Sequence, residues 1–208
     1  MKVLQMAVGG MGTNAYIAFR EGLGKAFVVD PGAECDRILA VLDENGIEEV
    51  THILLTHGHF DHIGAVADLK RATAAKVCIH TRDINMLRSQ RDNLAALAGL
   101  RIPECEADIV LWGGETINAA DMDVYVLHTP GHSGGSVCYM TDGTLFAGDT
   151  LFYMGCGRTD LPGSDPEEYF HTLTDILGAI KKDYTVYTGH GPKTTLFAEF
   201  RSNPYLAR

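Results

Sequence analysis

His52-Ile53-Leu54-Leu55-Thr56-His57-Gly58-His59-Phe60-Asp61-His62 runs from an apolar strand directly into a loop that carries three imidazoles and a carboxylate. His52 to Thr56 has the β-branched and leucine content of a buried strand, and Gly58 ends it. A loop at the end of a strand has an origin fixed by the sheet while its side chains stay free to converge. Four potential ligands, His57, His59, Asp61 and His62, lie within six residues. Nitrogen and oxygen donors in such density suit a cation such as zinc or iron. With nine histidines in the whole chain, chance clustering of this kind is improbable.

Three further segments end in similar chemistry: Thr129-Pro130-Gly131-His132-Ser133, Ala147-Gly148-Asp149-Thr150 and Thr188-Gly189-His190-Gly191-Pro192. Each follows a predicted strand and sets a His or Asp beside glycine. A closed structural zinc site needs four protein ligands. Seven candidates, one of them a carboxylate able to bridge, leave room for two cations with open positions for water. His52, His80, His128 and His171 lie outside these motifs and read as core or surface histidines. Trp112 ends a strand before Gly113-Gly114 and reads as a core residue rather than a substrate platform. Phe152-Tyr153-Met154 suits either the rim of a pocket or packing.

Outward from these loops, Met1 to Val8, Asn14 to Phe19 and Ala26 to Asp30 read as an antiparallel meander closed by Pro31-Gly32. Asp36 to Leu42 reads as an amphipathic helix stopped at Gly46. Ile63 to Lys70 follows as a helix, Lys76 to His80 as a strand, Asp83 to Leu87 as a short helix and Asn93 to Arg101 as an irregular or helical crossover. The second half returns to strands at Ile109 to Trp112, Glu115 to Ile117, Val124 to His128, Ser136 to Met140 and Thr144 to Phe146. Turns are expected at Gly113-Gly114 and Asp142-Gly143. Pro166 to Ile180 has the pattern of a helix capped by Asp165, with proline at its first position. Thr185 to Thr188 is the last strand. Helices bracketing two strand groups fit an α+β, four-layer αββα sandwich of two mixed sheets better than an alternating doubly wound fold.

The chain has 208 residues, within the range of a single domain spanning 1–208. Its 27 acidic and 17 basic side chains give a net charge of −10, which disfavours nucleic acid and anionic lipid as partners. No apolar run is long enough to cross a bilayer. Near the N-terminus, Gly9, Gly10 and Gly12 break the apolar stretch, unlike a secretory signal, so a cytoplasmic location is expected. Five scattered cysteines, Cys35, Cys78, Cys105, Cys138 and Cys156, include no C-x-x-C pair. They read as reduced thiols, most of them buried packing residues.

The run His57-Gly58-His59-Phe60-Asp61-His62 followed by His132, Asp149 and His190 resembles the metallo-β-lactamase fold hydrolases. Within them the chain is most similar to the short glyoxalase II-like (hydroxyacylglutathione hydrolase-like) proteins. That likeness is carried by Gly148-Asp149-Thr150-Leu151-Phe152, Gly157-Arg158-Thr159-Asp160-Leu161-Pro162-Gly163, Gly189-His190-Gly191-Pro192-Lys193-Thr194-Thr195 and Asn203-Pro204-Tyr205-Leu206. The resemblance implies two divalent ions, zinc first, with iron or manganese also suited. His57, His59 and His132 would hold one, Asp61, His62 and His190 the other, and Asp149 would bridge.

The implied activity is hydrolysis of a small-molecule thioester, such as S-lactoylglutathione, by a hydroxide shared between the two ions. Asp61 is the expected catalytic residue, orienting the nucleophile or taking its proton. For Arg158 two roles stay open: a fork for a substrate carboxylate, or an ion pair with Asp160 or Asp165. Cys156 reads as packing rather than as a nucleophile. The chain departs from the full-length enzymes at Asp160 and at Gly191-Pro192, while all seven ligand positions are kept. The alternatives are a persulfide dioxygenase with one iron on His57, His132 and Asp149, hydrolysis of another ester, lactone or β-lactam, and metal binding without activity.

Overall fold

Alternation of inward and outward side chains builds two sheets, as seen in a computed structural model that describes residues 1–206. The first sheet contains β1 (Lys2–Val8), β2 (Thr13–Phe19), β3 (Lys25–Val29), β4 (Glu49–Leu54), β5 (Lys76–His80) and β6 (Ile109–Leu111), in that order. Its first three strands are the expected antiparallel meander, and β3 through β6 run parallel. The second sheet contains β7 (Thr116–Ala119), β8 (Met122–His128), β9 (Val137–Thr141), β10 (Thr144–Gly148), β11 (Thr185–Thr188) and β12 (Thr194–Thr195). It is antiparallel except where β10 pairs parallel with β11. Both sheets are therefore mixed. At the β9–β10 hairpin Asp142 and Gly143 both take positive φ, 45° and 75°, the conformation a tight two-residue turn requires.

Helices cover the outer faces. On the first sheet, α1 (Cys35–Glu44) and α3 (Val66–Thr73) set Ile38, Leu42, Val66 and Leu69 against Ile17, Val28, Ile53 and Val77. Between the sheets lie Tyr16, Phe27, Leu54, Tyr139 and Phe146. On the second sheet, Tyr169, Leu173, Leu177 and Leu196 pack on Cys138, Leu145, Ala147 and Val186. Ile17 thus faces one interior while Tyr16 and Ala18 face the next, which is the two-residue period of a strand buried on both sides. These three interiors make the four-layer αββα sandwich expected from the strand and helix grouping.

Several local expectations shift. The helix expected over Ile63 to Lys70 is two pieces, α2 (Phe60–Ile63) and α3, so the ligand motif itself is helical in part. The strand expected over His52 to Thr56 is hydrogen-bonded over Glu49–Leu54. Asn93 to Arg101 is a chain of turns. The helix expected over Pro166 to Ile180 begins as α4 (Pro166–His171), widens into a π turn at Thr172–Ile176 and ends as a 3₁₀ turn at Leu177–Ala179. The widening starts where the Thr172 hydroxyl turns inward to donate to the Pro130 carbonyl at 2.7 Å. Asp165 caps α4 as expected, accepting from the Glu167 and Glu168 amides. Strand β12 and a final helix, α5 (Leu196–Ser202), were not anticipated.

Two residue expectations are corrected. Trp112 is 71% exposed, because on the edge strand β6 the alternation turns Leu111 inward and the residues beside it outward. Of the five free cysteines only Cys78 and Cys138 are buried; Cys35, Cys105 and Cys156 are half-buried.

Phe146 lies in the sheet–sheet interior against Tyr16 and Phe27. Phe146→Ala is expected to lower the unfolding free energy in urea by about 3–5 kcal/mol. Trp112→Ala is expected to change it by less than about 0.5 kcal/mol. A large loss at Trp112 would contradict its exposed position.

Candidate metal centre

Strands β3, β4, β8, β10 and β11 release their following loops at one end of the sandwich. That end is stitched across the two sheets by hydrogen bonds from the Val137 amide to the Thr56 carbonyl (2.8 Å) and from the Asn14 amide to the Gly189 carbonyl (2.8 Å). All seven predicted residues meet there. His59 Nδ1 lies 3.0 Å from His132 Nε2, and His132 Nε2 lies 3.4 Å from Asp149 Oδ2. On the other side, His62 Nε2 is 3.3 Å from Asp149 Oδ1 and 3.6 Å from Asp61 Oδ2. His190 Nε2 is 3.3 Å from Asp61 Oδ2 and 3.7 Å from Asp149 Oδ2. Donors about 2.0–2.1 Å from a shared cation stand roughly 3–3.5 Å apart, so these spacings are those of ligands around ions. The donor atoms fall into three overlapping groups, His57-His59-His132, His57-His62-Asp149 and Asp61-His62-His190, each with its atoms within 4.8 Å. His52, His80, His128 and His171 belong to none of them.

Burial sharpens the point. His57 Nε2, His59 Nε2, His62 Nε2 and Asp149 Oδ1 are buried polar atoms with no hydrogen-bond partner among the described residues. Native interiors rarely tolerate one such atom; His57 Nε2, His62 Nε2 and Asp149 Oδ1 belong to the residues grouped above and fit a cation as the missing partner, while His59 meets the group through Nδ1. The opposite ring nitrogens are held in place. Thr56 Oγ1 donates to Asp30 Oδ2 at 2.6 Å, which leaves its lone pair to accept from His57 Nδ1 at 3.2 Å. His62 Nδ1 donates to the same Asp30 oxygen at 3.0 Å, and His132 Nδ1 donates to the Arg158 carbonyl at 2.7 Å. Each bond fixes a tautomer whose other nitrogen offers a lone pair to the centre.

Burial and neighbouring charge act differently on the individual groups. Burial, and then the surrounding imidazoles, keep His57 well below the usual histidine range, and the same causes bring His59 down to about 3. Both stay neutral, as ligands must. Burial alone would raise Asp61 and Asp149, but His62 together with His190, and with Thr13 at Asp61 and His132 at Asp149, outweighs it and holds both carboxyls below their ordinary value. Burial is likewise outweighed at His62, where Asp149, Asp61 and Asp30 raise the imidazole. At His190 a hydrogen bond with Asp61 has the same effect.

Glycine is a steric requirement at two of the loops. A Cβ on Gly189 would strike Asp149 Oδ1, and one on Gly148 would strike Thr56 Oγ1. Support residues missed in the sequence include Asp30, Asp83, Thr13 and Glu199. Asp83 is buried and accepts from the Gly58 amide (3.1 Å), the Gly135 amide (2.7 Å) and the Ser133 hydroxyl (2.6 Å), tying the His57 and His132 loops together. Thr13 donates to Asp61 Oδ2 at 2.7 Å. Glu199, buried on α5, accepts from the Met154 amide, and Asn203 donates to the Gly155 carbonyl; together they clamp the loop after Asp149. Asp30 carries a signal that was available: like Asp149 it is a carboxylate at a strand end next to a glycine turn.

A cavity of about 570 Å³ opens onto His59, Asp61, His132, Asp149 and His190. Phe152 lines it, Tyr153 and Met154 face solvent, and the loops at Met11 and Leu97, 62% and 74% exposed, overhang it. Arg158 also borders it, but its guanidinium binds both oxygens of Asp160 at 2.6 and 2.7 Å. Of the two roles left open for Arg158, the structure shows the ion pair. No helix among the described residues is long and apolar enough to cross a membrane.

Comparison with known proteins agrees with this geometry. The family described as Metallo-beta-lactamase superfamily matches residues 8–190. The probable metallo-hydrolase YqgX of Bacillus subtilis is 35% identical, covering 99% of this chain and 98% of its own. The hydroxyacylglutathione hydrolase GloC of Haemophilus influenzae is 32% identical, covering 87% of each chain. Among solved structures, BLEG-1 B3 metallo-beta-lactamase superposes with a TM-score of 0.92 at 33% identity over 100% of both chains. TTHA1623 in a di-iron-bound form gives 0.84 at 38% identity over 98% of this chain and 100% of that one. With seven donor residues gathered at the loop end of an αββα sandwich and these likenesses along nearly its whole length, the chain belongs to the metallo-beta-lactamase superfamily of metallo-hydrolases.

Proposed function

We propose that this protein hydrolyses a thioester of a small hydroxyacyl thiol at a two-metal centre. The observation that carries the reading is Asp149, whose two carboxylate oxygens face both donor sets, beside the Nε2 atoms of His57 and His62, left without hydrogen-bond partners among the described residues. His57, His59 and His132 would hold one ion, Asp61, His62 and His190 the other, and Asp149 both. Such a pair of ions supplies an acidified water and an electrophile for the carbonyl oxygen. The imidazole and carboxylate donor set suits zinc, iron or manganese. The likeness to GloC supports a thioester as the acyl donor.

The chain's own side chains do the rest. Water adds to the carbonyl carbon, the C–S bond breaks, and the products are a carboxylate and a thiol. Asp61 lies on the cavity wall with one oxygen fixed by Thr13, so it is placed to accept a hydrogen bond from the attacking water. The apolar residues at Phe152 and Leu94 keep bulk water from the acyl group.

Purified protein should carry two divalent ions per chain and release thiol from S-lactoylglutathione or another acyl thiol without consuming oxygen. One iron per chain with oxygen uptake on glutathione persulfide would replace this reading with a dioxygenase, and turnover of β-lactams alone would replace it with a lactamase. Asp149→Ala should lose bound metal and reduce kcat/KM roughly 1,000-fold, equal to about 4 kcal/mol of transition-state stabilisation. Asp30→Ala, which touches no ion in this assignment, should weaken metal affinity by about 10–100-fold in a chelator competition titration.

A further inference from the structure

The cavity over the metal centre is one of two lobes that diverge from it. The first, already described, is walled by Leu94, Leu97 and Leu161, and away from the ligands its one charged lining residue is Arg158, paired with Asp160. The second, of about 590 Å³, shares Met11, Phe60, Asp61 and Ala98 with the first and runs past Gly32 to Arg101 and Pro103. A thioester has the same shape: two arms that diverge from a single carbonyl.

The charges in the second lobe are unevenly satisfied. Glu34 accepts from the Arg37 guanidinium at 2.8 Å and from the Gly9 amide at 2.8 Å. Asp68 is paired with Arg71 at 2.5 Å. Asp61 accepts from Thr13 and faces His62 and His190. Arg101 lines the lobe, is exposed, and has no hydrogen bond or ion pair among the described residues. In a chain of net charge −10, one guanidinium is thus left uncompensated in the lobe that reaches Asp61. The other arginine at the cavity, Arg158, has its fork filled by Asp160.

We propose that Arg101 determines substrate specificity by receiving a terminal oxyanion, a carboxylate or a phosphate, on the arm of the thioester that enters the second lobe. The apolar lobe then takes the other arm. This rests on the thioester reading above. A guanidinium presents a planar fork that binds either oxyanion through two hydrogen bonds, so the neutral counterpart of the same arm binds less well.

The test compares acetyl thioesters of glutathione and of its diamide, and of pantetheine 4′-phosphate and of pantetheine, on the metal-loaded full-length protein. The wild type should favour the anionic member of one pair about 10-fold in kcat/KM, through KM, and the pair that shows the preference identifies carboxylate or phosphate. Arg101→Ala should bring the ratio to within about twofold, Arg101→Lys should recover part of it, and Arg91→Ala, an equal charge change outside the lobe, should leave it intact. Equal rates within both pairs in the wild type, a preference that survives Arg101→Ala, or one lost in Arg158→Ala instead, would overturn the assignment. Calorimetric Kd values for S-ethylglutathione and its diamide, and for the S-ethyl derivatives of the pantetheine pair, separate this from the reaction itself. If no thioester is cleaved, the hydrolase reading fails, and an Arg101-dependent Kd ratio still decides whether this residue seats an oxyanion.

Discussion

Everything at the loop end of this sandwich depends on the electrostatic demand of imidazoles and carboxylates removed from water. His57, His59, His62 and Asp149 each bury a polar atom for which the described residues offer no partner. An interior that left all four unmet would forfeit several kcal/mol of a total stability that is usually only about 5–15 kcal/mol. A multivalent ion at the donor cluster answers those of His57, His62 and Asp149 at once. The cluster is therefore best understood as half of an ionic structure whose other half comes from solution.

The rest of the architecture delivers that cluster. Two mixed sheets, each buried on both faces, give rigid strand ends from which short loops reach inward. Glycine at 148 and 189 lets the loops approach Thr56 and Asp149 closely, and Asp83 binds two of the loops to each other. Around this core the cavity is bordered by less regular ground, the turns at 93–101 and the loop near Met11. Fixed strand ends surrounded by irregular loops suit a fold that hosts many chemistries.

Much of this was legible in the residues. The ligand motifs stood out because donors crowd together there beside glycine, and the meander, the αββα layering and the Asp165 cap followed from periodicity and capping chemistry. What escaped was whatever depends on distant partners. Asp30 and Asp83 look like ordinary turn acids until their acceptor oxygens are seen holding ligand loops. Trp112 looks like core until its strand is found at a sheet edge, and the π turn after α4 depends on a hydroxyl reaching Pro130. The pairing of Arg158 with Asp160 was one of two readings the local sequence allowed, and only the three-dimensional arrangement favours it.

Asp30 stands behind both halves of the centre. One of its oxygens meets Thr56, which steadies His57, and also meets His62 directly. A single buried carboxylate therefore orients one imidazole of each donor group, so the two groups cannot be repositioned independently of each other.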